Sequence, residues 1–175
     1  MMAIDSNVYQ FNTSDMRFRL TIERPLMDRI LGLCIDASGI ETGGILIGHY
    51  NDEHYNAIVT DVSASPSDSR RRRTSFDRGV KGLQTWLNRL WEKERRYYLG
   101  EWHFHPFASP NASMTDHEQM RRYSKTESLH CPEPVMLVIG GDPRKAWTAK
   151  AYVSPRDRPF HEMLMAEMGS RGCNG

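Results

Sequence analysis

The chain has 175 residues, 39% of them hydrophobic and 26% charged, which is typical of about one globular domain. A formal net charge of +1 gives no general attraction to nucleic acid or to an acidic membrane surface. The sequence has no apolar run of the ~18 residues that a membrane span needs. Its first residues lack the basic start and apolar stretch of a signal peptide, so we expect none, and three scattered cysteines favour a reducing cytoplasm. We expect a single cytoplasmic domain over 1–175, with a core over about 17–153 and flexible tails over 1–15 and 169–175.

Hydrophobic periodicity predicts the secondary structure. Apolar and polar residues alternate in the predicted strands, whereas the predicted helices place apolar side chains three or four positions apart. Pro25 suits the first turn of a helix and Gly39 suits its end, while Asn51 and Asp52 predict a hairpin turn. In chain order we predict a strand over 18–22, a helix over 25–38, strands over 45–50 and 55–62, a polar loop over 63–74, a helix over 76–97, a strand over 97–104, a helix over 114–123, strands over 134–139 and 146–153, and a short helix over 160–168.

A group of histidine, serine and aspartate residues follows the aromatic strand. His103 and His105 are two positions apart, so on a strand both imidazoles point to the same face. Pro106 cannot donate to a strand ladder and ends the strand. Ser113 and Asp116 then lie at the start of the next helix, where a carboxylate is favoured. Two imidazoles and one carboxylate form a three-ligand set with a fourth position for water, which indicates a catalytic zinc site.

The motif H-x-H-P-x(6)-S-x-x-D resembles that of the JAMM (JAB1/MPN/Mov34) zinc metalloprotease family. The upstream segment Glu41-Thr-Gly-Gly-Ile-Leu-Ile-Gly48 matches the second part of the family pattern, and the resemblance extends over about residues 17–153. It implies an α/β fold of the JAMM/MPN type, cytidine-deaminase-like, with a mixed β-sheet flanked by helices. Within the family, the chain resembles the free-standing prokaryotic members, including those in antiphage operons.

The resemblance also implies a role for each motif residue. His103, His105 and Asp116 would bind one Zn²⁺ per chain. Glu41 would take a proton from the attacking water and pass it to the leaving amine. Ser113 would donate a hydrogen bond to the oxyanion. The chemistry is consistent with these roles, because zinc lowers the pKa of bound water to about 7 and a neighbouring carboxylate can then act as base and acid.

Three residues have alternative interpretations. Glu101 lies on the same strand face as the two histidines, so it competes with Glu41 as the base, or it orients a histidine from behind. The glycines that follow Glu41 suit a close backbone approach near a site and favour Glu41. Ser109 lies in the same loop as Ser113 but not at the motif spacing. Ser113 would also serve well as the N-terminal cap of a helix.

Two further segments remain open. Residues 70–73 are four consecutive arginines, which form either a solvated mobile loop or a docking surface for an acidic partner or acidic stretch of the substrate. Nucleic acid is a weaker interpretation, since no aromatic residues alternate with these arginines. His117, His130 and Cys131 are candidates for a second zinc, but three residues do not complete four ligands.

The resemblance predicts a zinc-dependent isopeptidase or peptidase that cleaves after the C-terminus of a ubiquitin-like protein. It would remove this modifier from a target protein or process its precursor, in bacterial antiphage defence and beside E1- and E2-like enzymes encoded nearby. Two alternatives are a peptidase acting on sulfur-carrier proteins and a non-catalytic MPN scaffold. A zinc deaminase is excluded because the chain lacks the H-x-E and P-C-x-x-C motifs.

Overall fold

The computed structural model describes residues 7–166. Within these residues, ten strands, three α-helices and one 3₁₀ turn follow one another. They are β1 Val8–Asn12, β2 Arg19–Glu23, α1 Arg24–Asp36, β3 Thr42–Tyr50, β4 Asn56–Val62, β5 Arg70–Arg71, β6 Phe76–Asp77, α2 Leu83–Glu94, β7 Tyr97–Pro106, α3 Met114–Lys125, the 3₁₀ turn Glu127–Leu129, β8 Val135–Asp142, β9 Ala146–Val153 and β10 His161–Met165.

Eight strands form a closed barrel in the order β1-β10-β9-β8-β7-β3-β4-β2, and β5 pairs with β6 in a separate two-stranded sheet. Within the barrel, β2 is parallel to β4 and β7 is parallel to β8, whereas the other pairs are antiparallel. The fold is therefore α/β with a mixed sheet, as the sequence predicts, but the closure of that sheet was not anticipated. The closer likeness to the cytidine-deaminase arrangement stays a prediction.

Strand β7 runs through the centre of the core, between β3 and β8. Residues Tyr98 to Phe104 are all buried, as expected for a strand that is covered on both faces, and they include the polar side chains of Glu101 and His103. Trp102 is fully buried and donates from its indole N–H to the carbonyl of Ser63 at 2.9 Å. A Cβ added at Gly43 would stand 2.4 Å from the carbonyl oxygen of Trp102, so only glycine lets β3 pass this closely beside the histidine strand.

The helix predicted over 76–97 is shorter than expected. Phe76–Asp77 is a strand, and α2 begins only at Leu83, after Gly82 with φ 80°. The Asp68 carboxylate accepts hydrogen bonds from the backbone N–H groups of Val80 and Lys81, both at 3.1 Å. These contacts hold the segment before α2 in a loop, and Gly82, in the left-handed conformation, then turns the chain into the helix.

Two predictions for the chain ends are wrong. Val8–Asn12 is a strand and not part of a flexible tail, and the segment predicted as a helix over 160–168 contains the strand His161–Met165. Both strands close the barrel, where β1 pairs with β10 and Met163 of β10 is fully buried. The sheet thus extends on both sides of the predicted 17–153 core, because barrel closure supplies partners that a short segment cannot reveal. Residues 1–6 and 167–175, which include the predicted tail over 169–175, lie outside the described residues.

Within residues 7–166, no helix has the length and apolar character needed to cross a membrane.

Candidate metal centre

Strand β7 brings the two predicted histidine ligands to one place. His103 is almost fully buried, His105 is half-buried, and Pro106 is the last residue of the strand, as predicted. Phe107 then takes a left-handed conformation with φ 58°, which turns the chain out of the sheet. The strand is fixed on both sides, since His103 is paired with Gly43 of β3 and with Val138 of β8. The two imidazoles are therefore anchored by a rigid sheet.

Helix α3 supplies the carboxylate. Ser113 is the N-cap of α3, and its hydroxyl oxygen accepts a hydrogen bond from the backbone N–H of Asp116 at 3.1 Å. In return, Asp116 Oδ2 accepts from the backbone N–H and from the hydroxyl of Ser113, both at 2.7 Å. This capping box fixes the Asp116 carboxylate and leaves Oδ1 facing His103. The cap role considered for Ser113 is thus confirmed, and its catalytic role stays a proposal.

His103, His105 and Asp116 form one cluster, with their ligand atoms all within 4.8 Å of one another. Asp116 Oδ1 lies 3.1 Å from His103 Nδ1, and Asp116 Oδ2 lies 4.0 Å from His105 Nε2. Among the described residues, Nε2 of His103 is buried without a hydrogen-bond partner, while Nδ1 is the ring nitrogen beside Asp116. Two imidazoles and a carboxylate in this arrangement are suited to holding a divalent metal ion.

The ionisation of the cluster also favours metal binding. Burial raises the pKa of Asp116, but the hydrogen bond and charge of His103 and the hydrogen bonds from Ser113 outweigh it and hold the pKa below its ordinary range. Burial lowers the pKa of His105, although the Asp116 carboxylate partly opposes the shift. An ionised carboxylate and a neutral imidazole are the forms that bind a metal.

Glu41 lies at the edge of this cluster, directly before β3. Its neighbour Thr42 is paired with Phe104 of β7, between the two histidines. Burial raises the pKa of the half-buried Glu41 carboxyl group, and so does the nearby negative charge of Asp116, while His103 opposes them. A carboxylate with a raised pKa at the edge of a candidate metal site is suited to accept and return a proton.

Glu101 does not have this access. Its side chain is fully buried, and its two oxygens accept hydrogen bonds from Arg78 Nε at 2.7 Å and from the Tyr98 hydroxyl at 3.0 Å. These contacts make Glu101 a poor competitor for the role of base, and they involve no histidine. Ser109, the other alternative, is exposed in the loop after His105.

All four arginines are exposed, and two of them lie in a short strand, so the choice between a solvated segment and a docking surface stays open. Arg70–Arg71 pairs with Phe76–Asp77 in a hairpin next to the cluster. The carbonyl of Arg72 accepts from the backbone N–H of Glu41 at 2.9 Å, and the Phe76 ring meets the His103 ring edge-on at a centroid distance of 5.3 Å. Sequence reasoning missed both Phe76 and Arg78 as neighbours of the site, since a two-residue strand carries no periodic signal.

The residues considered for a second zinc do not come together. Within residues 7–166, only one group of three or more histidine, cysteine, aspartate or glutamate side chains is close enough together to hold a metal ion. It consists of His103, His105 and Asp116. His117 instead stacks on Phe160 at a centroid distance of 3.6 Å, and Cys131 is buried with its thiol 3.7 Å from the carbonyl of Leu99.

The mixed sheet and the ligand cluster define an α/β domain with a candidate metal centre. The family described as prokaryotic homologs of the JAB domain matches residues 23–150, and the chain belongs to this family. The resemblance found from the sequence motif is therefore confirmed.

Individual relatives are similar over most of the chain. A CD-NTase/cGAS isopeptidase of Enterobacter hormaechei subsp. hoffmannii (strain UCI 50) is 38% identical over 151 residues, covering 86% of this chain and 83% of that protein. A probable metalloprotease, y4qB, of Sinorhizobium fredii (strain NBRC 101917 / NGR234) is 30% identical and covers 68% of this chain and 73% of its own. The solution structure of protein DSY2949 from Desulfitobacterium hafniense superposes with a TM-score of 0.58 at 18% identity, covering 81% of this chain and 87% of that one. That last likeness concerns the fold alone.

Proposed function

We propose that the protein is a zinc-dependent isopeptidase that releases a ubiquitin-like protein from a CD-NTase/cGAS-type enzyme by cleaving after the modifier's C-terminus. The observation that carries this proposal is the cluster of His103, His105 and Asp116 with the Glu41 carboxylate at its edge. Relatives named CD-NTase/cGAS isopeptidase support the choice of bond and target. With this function the protein would act in bacterial antiphage defence, beside E1- and E2-like enzymes.

His103, His105 and Asp116 would hold the zinc ion, which when bound supplies Lewis-acid activation of water and of the scissile carbonyl. Glu41 would accept the proton of the attacking water and then donate it to the leaving amine. Its raised pKa suits the first step, because a carboxylate with a raised pKa is a stronger base towards the proton of water.

Ser113 would stabilise the negative charge that develops on the carbonyl oxygen. Its side chain is exposed at the N-terminus of α3, within reach of a substrate beside the cluster. Its hydroxyl proton is donated to Asp116 Oδ2, so it would rotate away from Asp116 to reach the oxyanion. The backbone N–H of Ser113 also donates to Asp116 Oδ2 and would keep the carboxylate in place during that rotation.

The test uses purified full-length protein with two substrates that share one ubiquitin-like protein. One substrate joins its C-terminus to a lysine of a CD-NTase/cGAS-type enzyme, and the other is a linear fusion to the same enzyme. We expect about one zinc per chain, cleavage of the conjugate, loss of cleavage with a chelator and recovery on adding zinc. Cleavage of the linear fusion alone would contradict the isopeptidase assignment, and absence of zinc would favour a non-catalytic scaffold.

A further inference from the structure

A buried ion pair lies behind the metal cluster and is not used in the mechanism above. Arg78 Nε donates to Glu101 Oε2 at 2.7 Å, with 8% of the Arg78 side chain and 0% of the Glu101 side chain exposed. Glu101 belongs to β7, two residues before His103, while Arg78 directly follows the arginine hairpin, which comprises β5, β6 and the turn between them. The pair therefore ties the hairpin to the strand that carries the histidines.

The same guanidinium also contacts the ligand-bearing helix. Arg78 Nη2 donates to the Tyr123 hydroxyl at 3.2 Å, and Tyr123 in turn accepts from Gln119 Nε2 at 2.7 Å, both on α3. Arg78 Nη1 donates to the carbonyl of Gly79 at 2.7 Å. One side chain thus connects three parts of the site, which are the histidine strand, the aspartate helix and the hairpin.

Stability alone does not account for this ion pair. Removing two charges from water costs several kcal/mol, and apolar side chains of similar size often stabilise a core as well or better. A planar guanidinium instead fixes directions, because its N–H groups point to set positions. The Arg78–Glu101 pair therefore adds little stability, but its fixed N–H directions can hold the groups around it in one relative position.

We propose that Arg78 is a positioning residue that docks the arginine hairpin against the metal centre, and so fixes Glu41 relative to the ligands. This inference rests on the proposed function. Two residues before Arg78, the Phe76 ring packs edge-on against His103. On the facing side of the hairpin, the Arg72 carbonyl holds the backbone N–H of Glu41. A hairpin that is free to shift would move the base while leaving the metal ligands in place.

The test compares Arg78→Met, Glu101→Gln and the double variant Arg78→Met/Glu101→Gln. Arg78→Met alone leaves a buried carboxylate without its partner, so its melting temperature should fall. The double variant removes that unpaired charge and should recover most of the stability and full zinc content. It should nevertheless turn over about 10²-fold more slowly than the wild type with little change in KM, since a displacement of about 1 Å costs that much. Glu101→Gln should keep turnover close to the wild type, because glutamine still accepts from Arg78.

Amide hydrogen exchange at Glu41 gives a readout that does not depend on activity. Its N–H is protected by the Arg72 carbonyl, so undocking should speed its exchange by about tenfold in the double variant and leave Glu101→Gln unchanged. Arg96→Met is the matched control. Arg96 is a half-buried arginine that bonds to Thr60, and its loss should affect stability alone.

Recovery of turnover together with stability in the double variant would overturn the positioning role, and so would unchanged protection of the Glu41 amide. Loss of zinc from the stable double variant would overturn it as well, because Arg78 would then support the ligands themselves. Should the wild type cleave no conjugate, the proposed function fails, and the exchange measurement alone still decides whether Arg78 docks the hairpin.

Discussion

Replacing Glu41 by glutamine separates metal binding from proton transfer. Among the described residues, the Glu41 carboxylate forms no hydrogen bond or ion pair, although it lies close enough to Asp116 and His103 to sense their charges. Glutamine keeps the shape but cannot accept a proton from water. Glu41→Gln should therefore retain about one zinc per chain, bind the conjugate and fail to cleave it.

The size of the loss follows from the two roles of the carboxylate. Removing one general base typically costs about 10²–10⁴-fold in rate. Because Glu41 would also protonate the leaving amine, we expect a loss of about 10⁴-fold, equivalent to about 5 kcal/mol of transition-state stabilisation. Folding stability should not fall in the metal-free protein. A carboxyl group with a raised pKa contributes stability that is lost as pH rises through that pKa, so at neutral pH the neutral glutamine should be equal or better.

Glu101→Gln is the matched control, since it makes the same chemical change at a buried carboxylate that Arg78 and Tyr98 already hold by hydrogen bonds. Single-turnover cleavage of a fluorescent conjugate measures the rate, anisotropy measures binding, and metal analysis measures zinc in each variant. Near-normal turnover of Glu41→Gln together with an inactive Glu101→Gln would refute the assignment of the base. Loss of zinc from Glu41→Gln would refute the separation of binding from chemistry.

Four further outcomes are expected. His103→Ala and Asp116→Ala should each lose both zinc, by metal analysis, and cleavage, because two protein ligands do not hold the ion. In the metal-free protein, the Asp116 carboxylate with its lowered pKa stabilises the fold above pH 3.8, its ordinary pKa, and this contribution is lost as the pH falls below that value. The melting temperature of Asp116→Asn should therefore change less with pH in this acid range than that of the wild type. Ser113→Ala should lose about 1 kcal/mol of stability through the helix cap, whereas Ser113→Gly should lose only a few tenths. Both variants should turn over about 10²-fold more slowly. Equal rate losses despite unequal stability losses would identify the hydroxyl as the oxyanion donor. Arg72→Glu/Arg73→Glu should slow cleavage of the conjugate by about tenfold at low salt and much less at high salt, while a short tail peptide is cleaved normally; equal losses on both substrates would mean that the hairpin shapes the site instead.

The ligand cluster could be predicted from the sequence because its geometry is local. His103 and His105 need only the alternation of one strand, and Ser113 and Asp116 need only the first turn of one helix. Placing the two groups together rested on the ligand chemistry of zinc, supported by the family resemblance, and the structure brings them within 4.8 Å. Long apolar strands such as β8 were also recognisable, since strands buried on both faces have continuous apolar sequences.

The missed elements depend on distant partners. Phe76–Asp77 was assigned to a helix because Val80, Leu83 and Leu87 continue a helical pattern, yet Asp68 holds the intervening residues in a loop. The strand His161–Met165 has one fully buried side chain, that of Met163, which is too little to set a period. Its conformation is determined by pairing with β9 and β1. Short strands of this kind follow from the closed sheet and not from their own composition.

The capping box of α3 has a consequence for the evolution of this family. Ser113 and Asp116 hold the start of a helix as well as standing at the metal centre, so a lineage that abandoned hydrolysis would still be selected to keep Ser113 for folding. Among the described residues, the Glu41 side chain forms no hydrogen bond or ion pair, so it has no comparable structural role. Inactive descendants should therefore lose the glutamate early and the serine late. When relatives of this chain are sorted into enzymes and pseudoenzymes, the residue equivalent to Glu41 should be the more informative marker.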